Sequence, residues 1–192
     1  MKLTVFCGAR FGRANQYQLV AKQLGTQLAA DHIELVYGGS QSGIMGTISS
    51  AVLENNGEVL GIYPENLFKS ELPRHNATRL ITTKTIDERK ELLLSEADAF
   101  LVFPGGIGTL EEVTQALSWM DIGIIDTKPM GILNMNGYYD SLKTLLETCS
   151  TEQFMNPAVV DNCVFSNNYQ DLLGQLMTGA NQTGLDATGS AD

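Results

Sequence analysis

Two groups of chemically capable residues stand out in this chain: Arg89 and Lys90 in TIDERKELLLSEAD, and Glu111 and Glu112 in LVFPGGIGTLEEVTQALSW. The second group follows a turn made of Gly105, Gly106, Gly108 and Thr109. Glycine turns between a strand and a helix let backbone N–H groups point at a phosphate beside the helix N-terminus. The helix dipole contributes about 0.3–1 kcal/mol to such a contact, and up to ~2 kcal/mol when partly buried. That is modest, so a guanidinium or ammonium is expected to assist.

Helical periodicity supplies the cation. Ile86, Leu93 and Ala97 mark one face of a predicted helix, and Arg89 and Lys90 fall three and four residues after Ile86 on that same face. Glu88, Glu91, Ser95 and Asp98 take the opposite side. Two readings fit this pattern: the cations serve a ligand, or they snorkel and pair with neighbouring acids. Glu112 is similarly open. Thr109-Leu110-Glu111-Glu112 matches a capping box, with Thr109 as N-cap. Alternatively, Glu112 lies one helical turn, about 5.4 Å of axis, beyond a phosphate turn. That offset suits a carboxylate facing the anomeric carbon of a ribose whose 5′-phosphate occupies the turn.

Other anion motifs fail. Gly38 and Gly43 have P-loop spacing, but Ile44 stands where the lysine belongs. A dinucleotide fingerprint in GGIGTLE breaks at Glu111, and GGSQSG lacks the last glycine of a nucleophile elbow. Cys7, at a strand end, reads as a small buried residue or a reactive thiol. Trp119 reads as packing or as a stacking surface for a base.

The elements that must position these residues alternate along the chain. Strands are predicted over 2–8, 33–39, 58–64, 79–83, 99–104 and 128–134. Helices are predicted over 14–31, 43–56, 86–98, 109–122, 138–148 and 168–177. Near-continuous apolar strands alternating with helices indicate an α/β fold: a doubly wound, Rossmann-like parallel sheet with helices on both faces. Glycines close the strands in CGARFG, YGGSQSGIMG and PGGIGT, so the three turns converge on one sheet edge. Gly39 and Gly43 of the second turn join the candidate binding set. Residues 1–178 form one domain, and the polar tail 179–192 is expected to be disordered.

Charge narrows the partners. Twelve basic and 22 acidic side chains give a net charge of −10, with no Lys or Arg after Lys143. A nucleic-acid polymer would be repelled, while a small anion can still find a local positive pocket. No apolar run is long enough to span a membrane. Cys7, Cys149 and Cys163 are unclustered, and His32 and His75 stand alone, which argues against a metal site or a disulfide framework. These features read as cytoplasmic.

With these residues in place, the chain resembles the LOG (Lonely guy) family of cytokinin riboside 5′-monophosphate phosphoribohydrolases, which also carry an older lysine-decarboxylase-like label. PGGIGTLEE fits the family signature PGGxGTxxE, and the ERK at 88–90 fits its partner motif. CGARFG, LVYGGSQSGIMG, PENLFKSE and KPMGILNMNGYYDSL look like their counterparts, covering about residues 2–175. The resemblance implies hydrolysis of an N6-substituted AMP to free base and ribose 5-phosphate, without metal or organic cofactor, in a homodimer. It implies catalytic roles for Arg89 and Glu112. It also implies substrate contacts from Glu71, Lys90, Gly106 through Glu111, and Ser118. Departures from the pattern are Ile86-Asp87 for Met-His, Arg10 among usual serines, Ser40 for glycine and Ser118 for threonine. Nothing in the sequence marks a pyridoxal-phosphate lysine. Two alternatives remain beside that reaction: a nucleosidase of broader specificity acting on AMP or other nucleoside 5′-monophosphates, and a module that binds nucleotides without cleaving them.

Overall fold

The computed structural model describes residues 1–65 and 71–186, the side chains of the last six excepted. Seven strands form one parallel sheet in the order β4-β3-β2-β1-β5-β6-β7. They are β1 (Lys2–Phe6), β2 (Glu34–Tyr37), β3 (Val59–Pro64), β4 (Arg79–Thr83), β5 (Ala99–Val102), β6 (Met130–Leu133) and β7 (Cys163–Ser166). The longer helices are α1 (Asn15–Ala30), α2 (Gly43–Glu54), α3 (Ile86–Ser95), α4 (Ile107–Asp121), α5 (Asp140–Thr151) and α7 (Tyr169–Asp186), with a short α6 (Pro157–Asp161).

The central strands β3, β5 and β6 are buried at every position, as strands covered on both faces must be. Leu24 and Leu28 of α1, Ile48 of α2 and Leu172 and Leu176 of α7 pack on one face with Leu3 and Val5. Leu93 of α3, Val113 and Leu117 of α4, Leu146 of α5 and Val159 of α6 cover the other, around Phe6, Phe100 and Val102. Phe6 and Phe100 stack at 5.5 Å between centroids and tie β1 to β5.

From β1 the chain adds β2, β3 and β4 outward in one direction. It then crosses back through α3 to place β5 on the other side of β1. The strand order therefore reverses between β1 and β5, where open α/β sheets leave a crevice at their carboxyl ends.

The predicted alternation holds, with three differences. The edge strand β7 and its preceding helix α6 lie where no element was predicted. CVFS is short and only half-buried, so it carries no continuous apolar signal, although Asn156 and Pro157 form a recognisable helix start. Helix α7 continues to Asp186, through part of the segment expected to be a disordered tail, and Gly179 lies against Pro129. Residues 187–192 of that expected tail lie outside the described residues. Helix α4 begins at Ile107, two residues before the predicted start, and this changes the reading of the glutamates.

Candidate functional site

The turn after β5 shows why its glycines are there. A β-carbon on Gly105 would stand 2.7 Å from the β-carbon of Thr109, whose side chain is tucked beneath the turn and is buried. Packing alone therefore demands glycine at 105. At Gly106 and Gly108 an added β-carbon would meet nothing within 4 Å, yet both residues line a cavity. Gly106 has φ −93°, which any residue can adopt. The fold does not require glycine at these two positions, so the bare backbone serves whatever enters the cavity.

Gly106 is the N-cap of α4, and no side chain caps this helix end. The capping box considered for Thr109 and Glu112 is absent because the helix starts earlier and the Thr109 side chain points under Gly105. The N–H groups of the first turn have no intrahelical acceptor, and the residues that carry them, Gly106 through Thr109, line the cavity. A capping box does exist on α3, where Thr85 accepts from the Glu88 N–H and Glu88 reaches back to Thr85. It fixes the start of the helix that carries Arg89.

Arg89 turns inward from α3, with only 9% of its side chain exposed. Its Nε donates to the Ile62 carbonyl at 3.2 Å, within β3. Its Nη2 lies 3.6 Å from Oε1 of Glu112, whose side chain is 13% exposed. Burial raises the Glu112 carboxyl from its ordinary 4.5 to about 7; Arg89 opposes the shift, and Glu111 adds to it. Desolvation thus outweighs the neighbouring Arg89 guanidinium, which favours the ionised form. A group poised near neutrality can take and return a proton under ordinary conditions.

The cavity holds about 510 Å³, within the range of small-molecule sites, roughly 300–1,000 Å³. Its lining joins Cys7 and the loop Gly8–Gly12 after β1 to the Gly105–Thr109 turn after β5, with Glu71, Arg89 and Glu112. It thus sits at the reversal of strand order. Cys7 is buried at its edge and burial pushes its thiol up, as suits a packed rather than reactive cysteine. Phe11, Tyr17, Ile107 and Tyr138 give the lining an aromatic and apolar side. The Tyr138 hydroxyl donates to the Gly105 carbonyl at 2.7 Å and its ring meets Tyr17 edge-on at 6.2 Å.

Five candidate residues do not line this cavity. Lys90 is held by Glu111 at 3.0 Å and Asp87 at 3.1 Å, so the cation and Glu111 satisfy each other outside it. Asp87, one of the departures noted above, is thus a partner of Lys90. Ser118 is exposed farther along α4. Gly39 (φ +75°) packs against Ile62 and Tyr63, and Gly43 (φ +58°) packs against the backbone of Ala9 and Arg10. Both shape the second loop behind the first, and neither touches the cavity. Trp119 lies in a separate groove with Leu92, Ile124 and Ile125.

Sequence reasoning passed over three contributors. Gly38 makes room for the Arg89 guanidinium: a β-carbon there would stand 3.0 Å from its Cζ and overlap Nη2. Phe11 and Tyr138 follow β1 and β6, and their position just past strand ends was the available signal. His32 and His75 are exposed and outside the cavity, and among the described residues no cluster could hold a metal ion.

A family model described as "Possible lysine decarboxylase" matches residues 45–176. Cytokinin riboside 5′-monophosphate phosphoribohydrolase LOG2 of Arabidopsis thaliana is 40% identical over 172 residues, covering 90% of this chain and 80% of that protein. LOG7 of the same plant, with the same activity in its name, is 38% identical over 175 residues, covering 91% and 80%. The chain belongs to the LOG family.

Solved structures agree on the fold. The molybdenum cofactor carrier protein of Chlamydomonas reinhardtii superposes with TM-score 0.69 at 19% identity, covering 92% of this chain and 98% of that one. The molybdenum cofactor binding protein of Rippkaea orientalis gives 0.67 at 21% identity, covering 92% and 95%. At such identities the likeness concerns the fold alone. Among the described residues of this LOG family member, no lysine lines the cavity.

Proposed function

We propose that this LOG family member hydrolyses the N-glycosidic bond of N6-substituted adenosine 5′-monophosphates, releasing the free base and ribose 5-phosphate. The observation that carries the reading is a nearly buried carboxylate, Glu112, about one and a half turns into a helix whose uncapped N-terminus opens on the same cavity. The 5′-phosphate rests on the amides of Gly106 through Thr109. The ribose then extends past the first turn of α4 toward Glu112. Water adds its oxygen to C1′ while Glu112 takes a water proton. The C1′–N9 bond breaks with its electron pair leaving on the base, and the base receives a proton, which restores the carboxylate. Positive charge that develops on the sugar meets an ionised group already in place, which lowers the barrier more than it strengthens ground-state binding. Arg89, anchored on Ile62, fixes the position of Glu112.

Cytoplasmic residence and a homodimer belong to the same proposal. Three free cysteines support the first. Exposed Ile122 and Ile124 at the end of α4 support the second. Ser118, exposed beside that end, would reach a ligand only across such an interface. The direct test incubates purified protein with isopentenyladenosine 5′-monophosphate or plain AMP and separates the products. Free base and ribose 5-phosphate from the first, in preference to the second, support the reading. Equal turnover of both would make the chain a broader nucleosidase, and tight binding without turnover would make it a carrier or sensor.

A further inference from the structure

Among the described residues the charges of the cavity lining balance only when Arg10 is counted. Among the described residues its lining carries two carboxylates, Glu71 and Glu112, and two cations, Arg10 and Arg89. Arg89 is committed to Glu112 at 3.6 Å and to the Ile62 carbonyl. Lys90, the other cation expected at the phosphate, is held outside by Glu111 and Asp87. With Glu112 ionised and Arg10 removed, the described lining would present a net negative charge to a phosphate dianion, on a protein whose net charge is already −10. Amides at a helix N-terminus offer too little to offset that alone.

Among the described residues of the lining, Arg10 is the remaining cation. It sits on the loop after β1, is exposed, lines the cavity, and forms no ion pair with any described residue. Its loop adjoins the phosphate turn: a β-carbon on Gly8 would stand 3.6 Å from the Gly105 Cα. Behind it, Gly43 lets α2 press directly on the Ala9–Arg10 backbone, which fixes the loop. A planar guanidinium presents a donor fork suited to two phosphate oxygens.

We infer that Arg10 grips the substrate's 5′-phosphate from the β1 side while the α4 amides hold it from the β5 side, and that this residue makes the site select phosphomonoesters over uncharged nucleosides. The inference rests on the proposed placement of the phosphate, and its test does not require turnover. Ribose 5-phosphate, inorganic phosphate and ribose are titrated calorimetrically into the parent chain, R10S and R10K. R13S serves as a control, because Arg13 is exposed and does not line the cavity.

R10S is expected to weaken ribose 5-phosphate roughly tenfold to a hundredfold, the scale of one charge-assisted contact. R10K should recover part of the loss, and R13S should bind as the parent does. The parent's affinity should fall more steeply with salt than that of R10S, because the contact is exposed. If R10S binds ribose 5-phosphate within about twofold of the parent, or the parent prefers ribose to its phosphate, the inference is overturned. Loss of binding in R10S from a parent that hydrolyses no nucleotide would overturn the hydrolase reading and leave this one standing.

Discussion

The Nη2 atom of Arg89 occupies the space that a side chain on Gly38 would fill, so the guanidinium passes over bare backbone at the end of β2. Gly38 does not have a positive φ, and alanine there imposes no backbone strain. The effect of G38A must therefore pass through its neighbours, chiefly Arg89, with the Met45 sulfur 3.1 Å from the added β-carbon. Displacing the guanidinium frees Glu112 from its only described ion pair. We expect kcat to fall by about tenfold to a hundredfold, since misplacing a positioning group by about 1 Å has effects of that order. The midpoint of thermal unfolding should move far less. Steady-state kinetics alongside calorimetry would separate the two.

The glycines of the phosphate turn should divide into structural and ligand-facing positions. G105A forces Thr109 from beneath the turn and is expected to destabilise by about 1–3 kcal/mol. G108A lies inside α4 with open space around it, so it should stabilise the fold by about 0.5–1 kcal/mol. Its methyl group nonetheless enters the cavity, so KM should rise. Opposite shifts in stability for these two substitutions, read by chemical denaturation, would confirm the division.

Glu112 makes stability depend on pH in a stated direction. Its folded-state pKa, about 7, lies above the ordinary 4.5, so between these values the folded chain holds a proton that the unfolded chain has lost. The neutral carboxyl's contribution is fully present below about 4.5 and fades as pH rises through about 7. The cost of ionisation is on the order of 3 kcal/mol. E112Q, which stays neutral, should match the parent near pH 5 and exceed it in stability near pH 8. Unfolding midpoints of both chains across that range test this; a constant gap would contradict it.

Lys90 and Glu111 should contribute little to binding by this chain's own cavity. Glu111 is more than half exposed, and a pair of this kind contributes roughly 0–1 kcal/mol to stability. E111Q should leave the unfolding midpoint nearly unchanged. It should also leave ribose 5-phosphate affinity unchanged if Lys90 stays with Asp87, as titration calorimetry would show.

The parts of the site visible in the sequence are those set by short-range periodicity. Arg89 faces inward because it follows Ile86 at helical spacing, and the β5 turn is marked by its glycines. Long-range partners were not visible. Lys90 shares that periodicity, yet Glu111 on a different helix draws it away. Gly39 and Gly43 mark a turn correctly, but their role is set by Tyr63 and Ala9 across the fold. The capping-box pattern at Thr109 fitted by spacing and failed because Thr109 is needed beneath Gly105. Burial, which governs the ionisation of Glu112, is a property of the assembled cavity. Buried Arg74, which holds α2 through the Gly46 carbonyl and Ser50, left no local pattern to read.

The role of Glu112 is tested most directly by kcat/KM for release of free base from isopentenyladenosine 5′-monophosphate between pH 5.5 and 8.5, in the parent and in E112Q. The parent should rise with pH and level off above about 7, as the raised carboxyl ionises. E112Q should be slower by about 10²–10⁴-fold, the range for a general acid–base group, without that rise. A parent profile that is flat across this range, or an E112Q chain that keeps the parent's rate, would contradict the assignment.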